Sequence, residues 1–244
     1  MGAAIDLARG DVVQRASRLQ RLSDDALRRF AVRAAVERDS AAMWELVQAH
    51  LTLRGTSGAA TSRHTLRAYR RGIDELLTLW QGENLLRPAR DAGPLYVQRL
   101  LTGDRSELLV ADATRTGRGR RAKRGPLSPA TVSLRVAAAR ALYDALAWAG
   151  ATEADPFRDV RIGKTSRALD LAPSSRVYTE SELIALHAAA RDQQETVILL
   201  LGSHGGLRVS EMLRLDWADV DLRSGEMLIR GGKGDKTANV TLTP

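Results

Sequence analysis

Twice in this chain apolar residues recur at alternating steps of three and four, and those two stretches constrain its fold most. The first is Leu66, Tyr69, Ile73, Leu76 and Trp80; the second is Val132, Val136, Ala139, Tyr143 and Leu146. Such spacing lines one face of an α-helix and does not fit the two-residue alternation of a strand. The spacing predicts helices from Thr61 to Trp80 and from about Ser128 onward, with Ser128 as N-cap and Pro129 in the first turn. Two such stripes must be buried against other elements, so a helical unit is expected in the middle of the chain.

Weaker signals flank this pair. Ser23-Asp24-Asp25 is a good cap for a helix from Ala26 to Glu37, with Leu27, Phe30, Ala34 and Val36 as its stripe. A helix from Ala41 to Leu53 would place Trp44, Val47 and Leu51 on one face, and Gly55 to Ala60 reads as a small-residue linker. Pro88 to Gly93 is predicted as a turn and Pro94 to Leu101 as a short helix. Residues 1–40 carry no functional signal of their own. They either pack on the following domain or extend its contact with a ligand.

The charge bears on what such a ligand could be, although many basic proteins bind no polyanion. Thirty-seven Lys and Arg against 29 Asp and Glu leave a net charge of +8, which favours a polyanionic partner. Arg63, Arg67, Arg70 and Arg71 fall largely off the apolar stripe of their helix. They form either a solvated cationic face or a row of phosphate contacts. Between Arg115 and Arg124 six of ten residues are basic (Arg115, Arg118, Arg120, Arg121, Lys123 and Arg124), and Gly117 and Gly119 interrupt them. Such a run is a loop, either disordered or ordered along a nucleic-acid backbone. On the later helix Thr131 and Arg135 lie off the stripe and are candidates for base or phosphate contact.

Composition excludes other classes. There is no cysteine, hence no disulfide and no thiolate metal site. The four histidines (His50, His64, His187 and His204) are scattered without the spacing of metal ligands. Aromatic residues are only 4%, which argues against a platform for stacking single-stranded bases. No apolar run is long enough for a membrane span, and the N-terminus lacks the apolar segment of a signal peptide. A soluble, cytoplasmic protein is expected.

A capped helix is expected from Thr179 to Arg191 and a buried one from Gln194 to Ser203, with the apolar run Val197 to Leu201. The chemistry concentrates just after them, near the end of the chain. Gly205 and Gly206 are predicted to stop one helix, because glycine adopts the positive φ that helix ends favour. Arg208 then opens a new helix through Glu211, Met212, Leu213 and Leu215. A cation there stands at the unfavourable end of the helix dipole, so an anion is expected nearby. That anion is either Glu211, three residues on, or a phosphate gripped by the guanidinium fork. Residues 226–230 and 238–243 alternate as two strands, and the glycine-rich segment between them reads as a hairpin turn carrying Lys233 and Lys236. These lysines are either solvated or reach toward a site.

Gly206-Leu207-Arg208-Val209-Ser210-Glu211, then Leu215 to Asp221, then Gly232-Lys233-Gly234-Asp235-Lys236 together resemble the first half of the catalytic domain of tyrosine recombinases, the phage-integrase family. Thr61 to Tyr69 and the helix that precedes Asp155-Pro156 are similar to parts of that family's core-binding domain, where Asn-Pro is commoner than Asp-Pro. The resemblance implies a mainly α protein with this layout: an N-terminal helical extension (1–40), a helical SAM-like core-binding domain (41–163), a linker with Pro173 (164–176), and the first part of an α+β catalytic domain with a small β-hairpin (177–244). It implies double-stranded DNA as partner, clamped between two domains, and strand cleavage and rejoining through a phosphotyrosine, with no metal or nucleotide cofactor. Arg208 would hold the scissile phosphate, Lys233 would protonate the leaving oxygen, and Glu211 would support the site, with Lys236 beside them. The hairpin departs from the family pattern at Ala238 and Val240-Thr241-Leu242.

The family's His-x-x-Arg motif and tyrosine nucleophile would follow later than Pro244. No histidine follows His204 and no tyrosine follows Tyr178, which the resemblance makes structural. The expectation is a chain that binds DNA without cutting it, monomeric alone although the intact family assembles as tetramers on DNA. A non-catalytic DNA-binding module is the alternative.

Overall fold

Most helices of this chain open on a side chain that takes up the first free backbone N–H groups, and this sets where they begin. The computed structural model describes residues 18–55, 58, 61–104, 125–163, 178–230 and 237–241. Helix α1 (Asp24–Val36) starts where Ser23 Oγ accepts from the Ala26 N–H. Helix α2 (Ser40–Arg54) starts where Asp39 accepts from Ala41 and Ala42. Ser62 caps α3 (Arg63–Leu79) and Ser128 caps α5 (Pro129–Trp148), while α4 (Ala92–Thr102) lies between them in sequence. Further on come α6 (Glu180–Ala188), closed by a reciprocal Thr179–Glu182 capping box, α7 (Gln193–Ser203) and the single turn α8 (Val209–Met212). A 3-10 turn (Trp217–Asp219) leads into β1 (Val220–Asp221), β2 (Glu226–Ile229) and β3 (Ala238–Thr241). The three strands form one antiparallel sheet in chain order. The protein is therefore mainly α with a small sheet, as the sequence predicts. The short strand β1 goes beyond that prediction.

The chain divides into two compact units, residues 1–166 and 167–244. The core of the first is the pair α3 and α5. Ile73, Leu76, Trp80, Val132, Val136, Ala139, Tyr143 and Leu146 are all buried, which matches the two stripes. Burying each Val or Leu side chain contributes about 1.5–3 kcal/mol. Gly72 lets the two backbones approach closely: a Cβ there would stand 2.6 Å from the Cβ of Ala138. Trp80 stacks on Phe157 at 5.5 Å between ring centres, with Tyr96 and Tyr143 at its edges, and the Tyr143 hydroxyl donates to the Leu85 carbonyl at 3.0 Å. Leu19, Leu27, Ala31, Ala34 and Ala35 join the same core, so residues 18–37 pack onto the helical unit. Val36 does not share the stripe assigned to it; it is 69% exposed, one turn position beyond Ala35.

The second unit has a much smaller core. Leu207, Met227 and Ile229 are buried, with Leu201, Met212, Leu215, Val220 and Val240 packed against them. Neither α6 nor α7 buries a residue. The expectation that 194–203 is a buried helix is therefore wrong for this unit. Leu201 meets the small core, while Val197, Ile198 and Leu200 are exposed.

Candidate phosphate site and nucleic-acid interface

The end of α7 is wound off by two backbone bonds. The Gly205 N–H donates to the Leu200 carbonyl at 3.2 Å, and the Leu207 N–H donates to the Leu201 carbonyl at 3.1 Å. Gly206 between them takes φ +65°, the left-handed conformation that a side chain disfavours. Leu207 drops into the small core, and Arg208 follows in extended conformation as the N-cap of α8. The helix expected through Leu215 stops at Met212.

Both of the expected anionic roles at Arg208 bear on this geometry, and one is filled from within. Glu211 Oε2 accepts the backbone N–H of Arg208 and Oε1 accepts from its guanidinium Nη1, each at 2.8 Å. The backbone N–H of Arg208 first, and its guanidinium second, hold the Glu211 carboxyl below the usual glutamate range. The two side chains differ sharply in access, Glu211 being 8% exposed and Arg208 64%. Glu211 thus orients the arginine from below, and the guanidinium stays at the surface.

The acidic residues that follow have separate tasks. Asp219, at 9% exposure, accepts from Arg230 Nε at 2.6 Å and ties the 3-10 turn to the end of β2. Asp221 accepts the Arg223 and Ser224 N–H groups and closes the β1–β2 turn. Both lie in the Leu215 to Asp221 motif, and their partners come from after it in the chain. Beyond Arg230, strands β2 and β3 pair with Ile229 opposite Ala238. Lys233 and Lys236 fall between them, outside the described residues.

In the helical unit α3 and α5 run in the same direction. Gly72 meets Ala138 and, further along both helices, Trp80 meets Tyr143. Their N-terminal ends therefore lie at the same end of the unit. The two ends are built alike. Ser62 Oγ accepts the Thr65 N–H and shares a 2.9 Å hydrogen bond with Thr65 Oγ1. Ser128 Oγ accepts the Thr131 N–H and shares a 2.9 Å hydrogen bond with Thr131 Oγ1. Sequence reasoning singled out Thr131 but missed Ser62 and Thr65; the repeated Ser-x-x-Thr at both helix starts was the available signal. Arg63, His64 and Arg67 are exposed in this first stretch of α3.

The remaining basic candidates are placed differently. Arg70 is half-buried, donates to Ser40 Oγ and Asp74, and lies 5.8 Å over the Trp44 ring. Arg71 pairs with Glu75 at 3.0 Å. Arg135 is buried and its guanidinium grips both oxygens of Glu75, joining α5 to α3. It faces the neighbouring helix, where Gly72 leaves room for it, with Arg135 Cδ 3.5 Å from where a Cβ would be. Arg115, Arg118, Arg120, Arg121, Lys123 and Arg124 lie outside the described residues. Among the described residues no helix is long and apolar enough to cross a membrane.

Comparison with known proteins agrees with the motif reading. Residues 176–244 match the model of the Phage integrase family. The chain is 30% identical over 187 residues to the defective protein IntQ of Escherichia coli, covering 76% of this chain and 43% of that protein. It is 29% identical over 143 residues to tyrosine recombinase XerC of Proteus mirabilis (59% and 43%), and 34% identical over 85 residues to tyrosine recombinase XerA of Pyrococcus horikoshii (35% and 27%). The aligned part spans less than half the length of each of these relatives. The Gly206-Leu207-Arg208 turn, its buried Glu211 and the small sheet after them lie within the matched residues, and this part of the chain, residues 176–244, belongs to the phage-integrase family of tyrosine recombinases.

Proposed function

We propose that this chain is the DNA-holding portion of a site-specific recombinase, gripping duplex DNA through two basic surfaces. The observation that carries this reading is the Arg208–Glu211 pair: a surface guanidinium with fixed aim, seated on a buried carboxylate at the start of a helix turn. A planar fork held this way suits two oxygens of a phosphate, and its charge persists at any working pH. In a strand-exchange reaction it would stabilise charge on the non-bridging oxygens. Lys233, on the hairpin, is the candidate proton donor to the leaving oxygen, with Lys236 beside it. In the helical unit, Arg63 and Arg67 are exposed on the first turns of α3, just after its Ser62 cap. The helix N-termini of α3 and α5 add favourable potential for phosphate. The basic run from Arg115 to Arg124 would follow the DNA backbone. Arg135, buried against Glu75, and Arg70, half-buried between Ser40, Asp74 and Trp44, are assigned to holding the unit together, whereas Arg71, paired with Glu75 but exposed, joins Arg63 and Arg67 as a phosphate candidate.

The test is fluorescence anisotropy with a mixed-sequence DNA duplex over a series of salt concentrations. Binding should weaken steeply with salt, by a slope of about 0.9 per phosphate neutralised. Arg208→Ala and Arg67→Ala should each reduce that slope by about 0.9. No retention of duplex DNA at low salt would overturn the reading.

A further inference from the structure

We propose that His187 and His204, with Ser203 between them, form a binding site for one divalent transition-metal ion of the imidazole-preferring class, such as zinc, nickel or copper. The two histidines are far apart in sequence, but the fold brings their rings to 5.7 Å between centres, edge to face. His187 Nε2 lies 3.2 Å from Ser203 Oγ, and His204 Nδ1 lies 2.8 Å from the same oxygen. Both nitrogens thus converge on one point. The Ser203 hydroxyl donates its proton to the Leu199 carbonyl at 2.7 Å, so in this arrangement it can only accept from the imidazoles. Two ring N–H groups are therefore directed at a single oxygen. With each ring proton carried on its other nitrogen instead, the same two nitrogens present lone pairs, and a metal ion between them would be held by two neutral imidazoles, the ligands such ions prefer.

The electrostatic setting favours a cation for a second, independent reason. His187 lies in the last turn of α6, and His204 is the C-cap of α7. Two helix C-termini, each carrying partial negative charge, thus meet at the imidazole pair. His204 and Ser203 are exposed and His187 is half-buried, so water can complete the coordination shell. Among the described residues no third histidine or carboxylate joins the pair. The site is therefore an open, two-imidazole one with modest affinity, unlike a closed structural zinc site. Its placement gives it consequence. An ion held here ties α6 to α7 immediately before the Gly205-Gly206 turn that presents Arg208.

The test uses the whole chain and zinc or nickel chloride. Isothermal titration near neutral pH should show saturable binding of one ion per chain, released by a chelator, while magnesium gives none. His187→Gln and His204→Gln should each weaken zinc binding at least tenfold. His64→Gln, on α3, should leave it unchanged. In the unsubstituted chain, copper should broaden the backbone amide signals of residues 187 and 203–205 before any others. Absence of saturable binding, binding indifferent to both substitutions, or broadening centred elsewhere would each overturn the proposal.

Discussion

Glu211 accepts two hydrogen bonds from a single residue, one from the backbone N–H and one from the side chain of Arg208, both at 2.8 Å. The carboxylate is buried and the guanidinium is not. One interaction therefore caps α8 and aims the arginine, so disturbing either partner alters stability and ligand contact together.

The first prediction follows from the charge on Glu211. Its folded-state pKa is depressed, so its contribution to stability is fully present above the ordinary glutamate value of about 4.3 and is lost as pH falls through the depressed one. Thermal unfolding of the second unit should therefore move to lower temperature below about pH 4. Glu211→Gln should lower stability at neutral pH and reduce that acid dependence. An unchanged pH profile in the variant would show that the pair does not hold the turn.

Arg135 and Glu75 form a buried ion pair between α5 and α3, with Arg71 as a second, more exposed partner of Glu75. Removing one partner of such a pair costs about 3–5 kcal/mol, because a buried charge is left uncompensated. Arg135→Met should fall at the lower end, since Arg71 remains. The double change Arg135→Met with Glu75→Leu should restore most of the loss. Urea unfolding of the three proteins measures this directly, and equal losses in single and double variants would contradict it.

Gly72 faces Ala138 with no room for a methyl group, the distance from a built Cβ being 2.6 Å. Gly72→Ala should destabilise the helical unit by about 1–3 kcal/mol through overpacking. The gain in helix propensity, about 1 kcal/mol, is too small to reverse the sign. A variant as stable as the parent in urea would mean that the helices part more easily than their packing implies.

The His50 ring lies tilted against Trp148, 5.8 Å between ring centres, and its Nδ1 is buried without a hydrogen-bond partner among the described residues. Burial lowers its pKa, opposed by Asp144 and helped by Arg54. Its neutral form is thus favoured in the fold. The associated stability is present above the ordinary histidine value of about 6.5 and is lost as pH falls through the lowered one. His50→Phe should make the helical unit less sensitive to acid over that range, read by circular dichroism melts. Equal sensitivity in both proteins would exclude His50 as the titrating group.

What the sequence disclosed and what it hid divide along a physical line. Helix starts depend on chemistry within four residues, so Ser23, Ser128 and Thr179 were readable as caps before any fold was known. The Arg208–Glu211 pair was readable for the same reason, being a three-residue spacing. Arg135 was misjudged because its surroundings come from another helix: the gap at Gly72 and the carboxylate of Glu75 lie some sixty residues away. The His187–Ser203–His204 contact was invisible on the same ground, since only the pairing of α6 with α7 creates it. The α7 run Val197 to Leu201 looked like core from its composition, yet composition does not say which apolar residues find partners within the unit.

The seating of α3 on α5 also bears on how this surface could be re-engineered. Because Gly72 and Ala138 fix where the two helices meet, they also bear on the edge that carries the serine-capped helix starts. A polyanion meeting that edge would find it already arranged, with little side-chain or backbone freedom left to lose. Variation at positions 63, 64 and 67 should accordingly tune which ligand is preferred while leaving the scaffold intact, whereas any enlargement at 72 would move all the contacts at once.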